Sequence, residues 1–222
     1  MPRSLLLFLI LGVSIILTGG CRPGNWRDTS NNPDYLHRAI KQVTDVMVYD
    51  VYSPPVASRT YAYISVAAYE AARPGNADYF SLAGQLHGLK PVPVPDPTKT
   101  YSFSLASVKA VLTVGKTMVT SEERITDFEK QIIREFEDTG MPEDVIQNSL
   151  AYGQKVASHI LAWAAEDNYK QTRSFPKYSV SDDEGSWKPT PPSYMKAIEP
   201  EWNKIRPFLI DSAQLPSYNW EV

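Results

Sequence analysis

The stretch SPPVASRTYAYISVAAYEAA, residues 53–72, joins a rigid Ser-Pro-Pro start to the most apolar helix-capable segment after the N-terminus. Pro54 and Pro55 suit the first turn of a helix, where a missing N–H leaves nothing unpaired, and neither tolerates a helix interior. Ala57, Tyr61, Ile64, Ala68 and Ala71 recur three or four residues apart and share one helical face. Ala62, Val66, Ala67 and Tyr69 fill the other faces, so the helix is apolar nearly all round. Such a helix is enclosed by neighbours, and the spacing predicts a buried central helix of the core. Its alanines let those neighbours approach closely.

Working outward, Asn32-Pro33-Asp34 offers an N-cap, a proline at the first helical position and an acid in the first turn. The helix it opens is predicted to reach about Val51, with Leu36, Ile40, Val43, Met47 and Tyr49 or Val51 inward. Arg73-Pro74-Gly75 ends the helix of residues 53–72. Prolines 91, 93, 95 and 97 alternate strictly within residues 76–100, which makes that stretch an extended surface strap. A proline-rich ligand for a partner's aromatic groove is the other reading. Tyr101 to Val119 repeats the helical pattern through Leu105, Val108, Val111, Leu112 and Met118. Thr120-Ser121-Glu122-Glu123 has capping-box spacing, with Thr120 as cap and Glu123 reaching back. It opens a more charged helix through Phe136 that stops at Gly140. Pro142-Glu143-Asp144 starts another, whose apolar face runs from Val145 and Ile146 through Leu150, Val156, Ile160, Leu161 and Trp163 to about Ala165. No alternating strand pattern occurs, so the fold class is all-α, a bundle of about five main helices. Beyond Asp167 the chain becomes rich in proline and tryptophan. Irregular structure is expected there, with short helices at Pro192–Ile198 and Glu201–Arg206.

The 222 residues suffice for one full hydrophobic core, and a formal charge of -3 without a basic patch speaks against a nucleic-acid partner. The N-terminus carries Arg3, an apolar run from Leu5 to Leu17 and then small residues, the form of an export signal. The run is shorter than the roughly 20 residues a bilayer span needs. It ends in Leu17-Thr18-Gly19-Gly20-Cys21, which holds the only cysteine, so an internal disulfide is impossible. The segment resembles a bacterial lipobox, with Thr18 where leucine is usual. This gives residues 1–20 as a lipoprotein signal peptide, 21–32 as a tether, 33–222 as the folded body, and Cys21 as the lipidation site. A plain signal peptide and an uncleaved anchor are the competing readings. Lipidation places the protein outside the cytoplasm, anchored to a bacterial membrane.

Candidate chemistry is sparse. His37, His87 and His159 lie on different elements, and none has a second histidine at helical spacing. For His37 and His159 the simpler reading is a hydrogen-bonded structural role. Asp182-Asp183-Glu184-Gly185 lacks the alternate spacing of a calcium loop and reads as a solvated turn more readily than as a metal site. Trp187, Tyr194, Trp202 and Phe208 either stack on a sugar or another flat ligand or close the fold as an aromatic plug.

Two segments carry a resemblance: SPPVASRTYAYISVAAYEA at 53–71 and DDEGSWKPTPPSYMKAIEPEWNKIRPFLI at 182–210. Both resemble the N-terminal helical portion of vanadium-dependent haloperoxidase-like lipoproteins of the type 2 phosphatidic acid phosphatase superfamily. The resemblance implies a helical oxidoreductase or phosphatase that holds vanadate or phosphate in a cage of one lysine, two arginines, a Ser-Gly-His segment and an apical histidine. It places those motifs after a segment like 182–210. Here the family's Lys-x6-Arg-Pro would need a lysine where Glu199 stands, seven residues before Arg206, and Lys204-Ile205-Arg206-Pro207 has the wrong spacing. No Ser-Gly-His occurs, the nearest words being Ala157-Ser158-His159 and Leu86-His87-Gly88, and no histidine follows His159. The expectation is therefore a fold incomplete relative to the family, an N-terminal half with no catalytic, cofactor or metal residue of its own. Vanadate is expected only in a full-length relative, and whether this chain is an enzyme stays open. Expected partners are the membrane through Cys21 and a C-terminal half or a second copy. Apolar surface left open by the missing half would favour aggregation. The alternative is a complete surface lipoprotein that binds a ligand through aromatics 187–208.

Overall fold

The computed structural model describes residues 25–210. Residues 1–24, where the signal segment and Cys21 are expected, and residues 211–222 lie outside the described residues. The elements are α1 (Trp26–Ser30), α2 (Asp34–Tyr49), α3 (Pro54–Ala72), α4 (Phe103–Met118), α5 (Glu122–Glu137), α6 (Glu143–Ala165) and α7 (Tyr169–Thr172). Short 3-10 turns occur at Arg73–Gly75 and Trp202–Lys204. Among the described residues there is no strand beyond an isolated bridge between Ala83 and Leu86, and the architecture is the all-α bundle that the spacing predicts.

The centre of that bundle is α4, not α3. Helix α4 packs against α2, α3, α5 and α6, and it buries Leu105 to Val108 and Ala110 to Gly115. Helix α3 lies against α4 and α6 and keeps Ser58 and Ser65 in water. The difference has a cause in α4's two lysines, Lys109 and Lys116. Both pair with the buried Glu129 of α5, so their charges do not force α4 to the surface. Two glycines set the close approaches. An added Cβ on Gly153 of α6 would lie 2.4 Å from the Ala106 carbonyl oxygen, and one on Gly115 would lie 2.5 Å from Val43 Cγ2.

Helix ends differ in detail from their sequence reading. The Asn32 side chain accepts the Asp34 N–H at 3.0 Å, so it caps α2 as its position suggests. The other end closes in a Schellman arrangement, with Tyr52 N–H donating to the Met47 carbonyl and Val51 N–H to that of Val48. This turns Tyr49 and Val51 outward rather than inward, and Val51, at φ 54°, occupies the left-handed region. No capping box forms at Thr120. Instead the Asp50 carboxylate accepts the backbone N–H groups of Thr120 and Ser121 and the Ser121 hydroxyl, tying the start of α5 to the end of α2. An acid from a neighbouring helix supplies what the local Glu123 does not. Arg38 of α2 adds a two-bond pair with Glu135 of α5 at 2.6 and 2.7 Å.

Part of the stretch read as a tether is folded. Asn25 caps α1, Trp26 packs against the core and Ser30 is buried. The strap of residues 76–100 is held on the surface by side chains from the bundle. Glu70, fully buried in α3, accepts from Ser81 Oγ, from Leu82 N–H and from Arg73 Nε. Tyr152 donates to the Pro93 carbonyl at 3.3 Å, and His159 Nε2 contacts the Lys90 carbonyl at 3.1 Å. Leu86, Leu89 and Val92 turn inward beneath it. Beyond α7 the chain is irregular. The helix expected at 192–198 is absent, and at 201–206 only the Trp202–Lys204 turn forms. Tyr194 and Glu199 hold positive φ, 45° and 50°, which a right-handed helix through 192–198 or entered at 199 does not contain.

Candidate functional site

Arg59 and Tyr63 sit four residues apart on α3 and so face the same neighbour, the C-terminal end of α6. There Asp167 follows the last turn, and its Oδ2 accepts from Arg59 Nε at 2.6 Å and from the Tyr63 hydroxyl at 2.9 Å. Its Oδ1 accepts the Tyr169 N–H at 2.9 Å, which starts α7. Arg59 also donates to the Ala164 carbonyl in the last turn of α6, which accepts the Asp167 N–H as well. The Tyr169 ring lies 4.4 Å from the Arg59 guanidinium.

The second arginine arrives from 39 residues further along the chain (206 − 167). Arg206 N–H donates to the Asp167 carbonyl at 2.9 Å, and its guanidinium donates to the Trp163 carbonyl at 2.8 Å and to the Tyr63 hydroxyl at 3.3 Å. The next residues lock in behind it. Phe208 meets Tyr63 and Trp163 with ring centroids 5.3 and 5.1 Å apart, and the Phe208 carbonyl accepts the His87 N–H. Trp163 Nε1 donates to the His87 carbonyl, and His87 Nδ1 lies 3.2 Å from the Pro207 carbonyl. The cluster borders a cavity of about 500 Å³ lined by Ser58, Arg59, Asp167, Trp202, Arg206 and Phe208 among others. Burial, and the Asp167 carboxylate beside it, push the Tyr63 phenol well above its ordinary pKa, so it stays a donor.

Two guanidiniums beside a cavity invite comparison with an oxyanion cage, and the donor set does not fit one. Asp167 places a negative charge at the heart of the cluster and takes up Arg59. Arg206 is spent on a carbonyl and a hydroxyl, and among the described residues no lysine lines the cavity. A vanadate anion would meet a carboxylate where it needs free cations. What this arrangement can do is clasp the irregular C-terminal segment onto the bundle.

The residues singled out in the sequence scatter accordingly. His37 is exposed on α2, His159 holds the strap, and His87 serves the clasp. Asp182 and Asp183 face solvent, with Asp183 accepting from Ser181 Oγ and Asp182 lying 3.8 Å from Lys188 Nζ. Among the described residues, no group of three or more His, Cys, Asp or Glu could hold a metal ion. The four aromatics divide. Phe208 plugs the core and Trp202 meets Tyr169 edge-on, whereas Trp187 and Tyr194 are exposed. Sequence reasoning missed Arg59, Tyr63 and Asp167. The available signal was Arg59 itself, the one charge between Ser53 and Glu70 in an otherwise apolar helix.

Comparison with solved structures gives an informative match. The crystal structure of the first bacterial vanadium-dependent iodoperoxidase superposes on this chain with a TM-score of 0.74 and 46% sequence identity. The match covers 85% of this chain and 47% of that one, so the chain spans about half the length of its solved relative. No protein-family model matches the chain, and no curated protein does. Identity at that level across 85% of the chain is common descent: the chain belongs to the vanadium-dependent haloperoxidase-like proteins of the type 2 phosphatidic acid phosphatase superfamily.

Proposed function

We propose that this chain is the non-catalytic helical scaffold of a vanadium-dependent haloperoxidase-type unit. The observation that carries the reading is the unequal coverage, 85% of this chain against 47% of the iodoperoxidase, together with a cation cluster already neutralised from within. In this reading the vanadate-binding side chains come from polypeptide outside these 222 residues. Vanadate, when bound by them, would activate peroxide for halide oxidation. The scaffold's task is to present a rigid face, which a bundle centred on α4 and tied by the clasp suits.

Export and anchoring belong to the same proposal. The apolar run ending at Cys21 directs the chain out of the cytoplasm, and diacylglycerol on the Cys21 thiol holds it at a membrane. Among the described residues no helix is long and apolar enough to cross a membrane.

The test is an assay of the purified chain with orthovanadate, hydrogen peroxide and iodide or bromide, read by halogenation of a cyclic diketone. The expected result is no turnover above a vanadate-only control and no protein-bound line in ⁵¹V NMR. Vanadate-dependent halide oxidation by the chain alone would overturn the proposal. For the anchor, metabolic labelling with an alkynyl fatty acid should mark the chain and fail in Cys21→Ser. Equal labelling of that variant would remove Cys21 as the site.

A further inference from the structure

We infer that the cavity between the end of α1 and the start of α4 is a binding site for a phosphate group. It lies beside Ala72, the last residue of α3, whereas the clasp holds the first half of that helix. The cavity has a volume of about 310 Å³, and Arg27, Ser30, Asn31, Phe103 and Ser104 are among the residues that line it. Ser30 gives the first indication. It is 1% exposed, and its hydroxyl has no hydrogen-bond partner among the described residues. A hydroxyl buried in this way is costly unless an acceptor meets it, and native folds rarely leave one orphaned. A ligand oxygen in the cavity supplies the acceptor that the protein does not.

The start of α4 gives the second. Its N-cap, Ser102, accepts the Leu105 N–H on its hydroxyl and the Ala106 N–H on its carbonyl. The N–H groups of Phe103 and Ser104 have no acceptor within the helix, and they sit at the positive end of a 16-residue dipole. Such an end favours an anion. Ser104 Oγ donates to Asn31 Oδ1 at 3.0 Å, which holds the end of α1 against this turn and keeps the two sides of the cavity together. Arg27 adds a guanidinium, placed 4.5 Å from the ring of Trp26, which itself packs on the core.

The charge balance is the reverse of the clasp's. There Asp167 occupies the centre, whereas no carboxylate is among the described residues lining this cavity. Asp28 of α1 is exposed and accepts from Asn25 Nδ2. A hydroxyl, two backbone N–H groups and a guanidinium, arriving from two helices, suit a negative group with several acceptor oxygens, which a phosphate is and a sugar is not. Free phosphate and a phospholipid headgroup share this chemistry. The five residues from Cys21 to Trp26 reach at most about 18 Å, so a lipid on Cys21 keeps the cavity near a bilayer surface. The lipid source rests on the Cys21 reading, and the site itself rests on neither that nor the scaffold reading.

The test titrates inorganic phosphate into the purified ¹⁵N-labelled chain at constant ionic strength and follows the backbone amide shifts. Saturable shifts are expected at Ser30, Phe103 and Ser104. A millimolar dissociation constant is expected, too weak to retain micromolar vanadate, which keeps this test separate from the vanadate assay above. Ser30→Ala and Arg27→Met should each weaken binding about tenfold, whereas Lys41→Met on the exposed face of α2 leaves it unchanged. Phosphate should raise the melting temperature of the parent chain and not that of Ser30→Ala. Without phosphate that variant should be at least as stable as the parent, because it loses an unpaired hydroxyl. Sedimentation of the unlipidated Cys21→Ser chain with phosphatidylglycerol vesicles separates the sources. Vesicle binding that inorganic phosphate competes away and Ser30→Ala abolishes assigns a lipid headgroup, and phosphate binding without it assigns free phosphate. No saturable response, shifts that chloride reproduces, binding unchanged in Ser30→Ala, or a loss of stability in that variant without phosphate would each overturn the inference. Those outcomes leave the scaffold reading standing, and vanadate-dependent turnover by the chain alone would remove that reading without touching this one.

Discussion

Arg59 Nε lies 2.6 Å from Asp167 Oδ2, and the pair closes a loop of 108 residues between α3 and the end of α6. The Asp167 side chain is only 2% exposed, so its charge is stabilised by what it touches and not by water. Removing one partner leaves the other charge buried and unmatched, which costs more than the pair contributes. Asp167→Ala is expected to lower unfolding stability by about 3 kcal/mol in urea titration. The double change Arg59→Met with Asp167→Leu should recover most of that loss, because no lone charge remains. Equal loss in both would contradict an ion-pair role.

Alkaline pH should open the same region. Burial first, then Asp167, raises the Tyr63 pKa, and burial likewise pushes Tyr152 up to about 12. In the unfolded chain both titrate near 10, so between about pH 10 and 12 the unfolded state binds fewer protons than the folded one. Their stabilisation is complete below about pH 10 and is lost as pH rises through the folded values. The melting temperature should therefore fall over this window. Tyr63→Phe is expected to flatten the fall, and an unchanged slope would show that the phenol is not the titrating group.

Gly153→Ala tests the contact of α6 with the central helix. The added methyl would sit 2.4 Å from a backbone oxygen of α4, and a backbone atom cannot rotate away. A loss of about 2 kcal/mol is expected in spite of alanine's better helix propensity. Stabilisation by this change would mean that the two helices do not pack as described.

Val51→Gly should act in the opposite direction. Val51 is 86% exposed and holds φ 54°, a conformation that a β-branched residue adopts at a cost. Glycine removes the strain and sacrifices no packing, and a gain of about 1 kcal/mol is expected by thermal or chemical denaturation. A loss would mean that the valine side chain makes contacts beyond those of the Schellman turn.

Glu70→Ala should release the strap and leave the bundle intact. Ser81 Oγ and Leu82 N–H would lose their acceptor, and Arg73 its partner. Hydrogen exchange across residues 76–90 should quicken while α4 stays protected, and uniform quickening would argue for a global role instead.

The five long helices were legible because their apolar spacing is local, and so were the Asn32 cap and the strap. Which helix lies at the centre was not. Residues 53–72 and 101–119 each carry two charges in an apolar run, and what lets Lys109 and Lys116 lie inward is Glu129 placed opposite them, a tertiary fact. The capping of α5 by Asp50 crosses about 70 residues and leaves no trace in the Thr120–Glu123 word. The clasp joins Arg59, Asp167 and Arg206 from three separate elements. Periodicity reports which face is buried but not which charge waits on the other side.

The alternating prolines of the strap have one more effect. An extended segment lying on a protein surface ordinarily offers a row of free N–H groups, and another chain can add to that row strand by strand. At positions 91, 93, 95 and 97 there is no N–H to offer, and the Lys90 and Pro93 carbonyls are already taken by His159 and Tyr152. The edge of the strap that carries those prolines is therefore a poor template for cross-chain β-pairing.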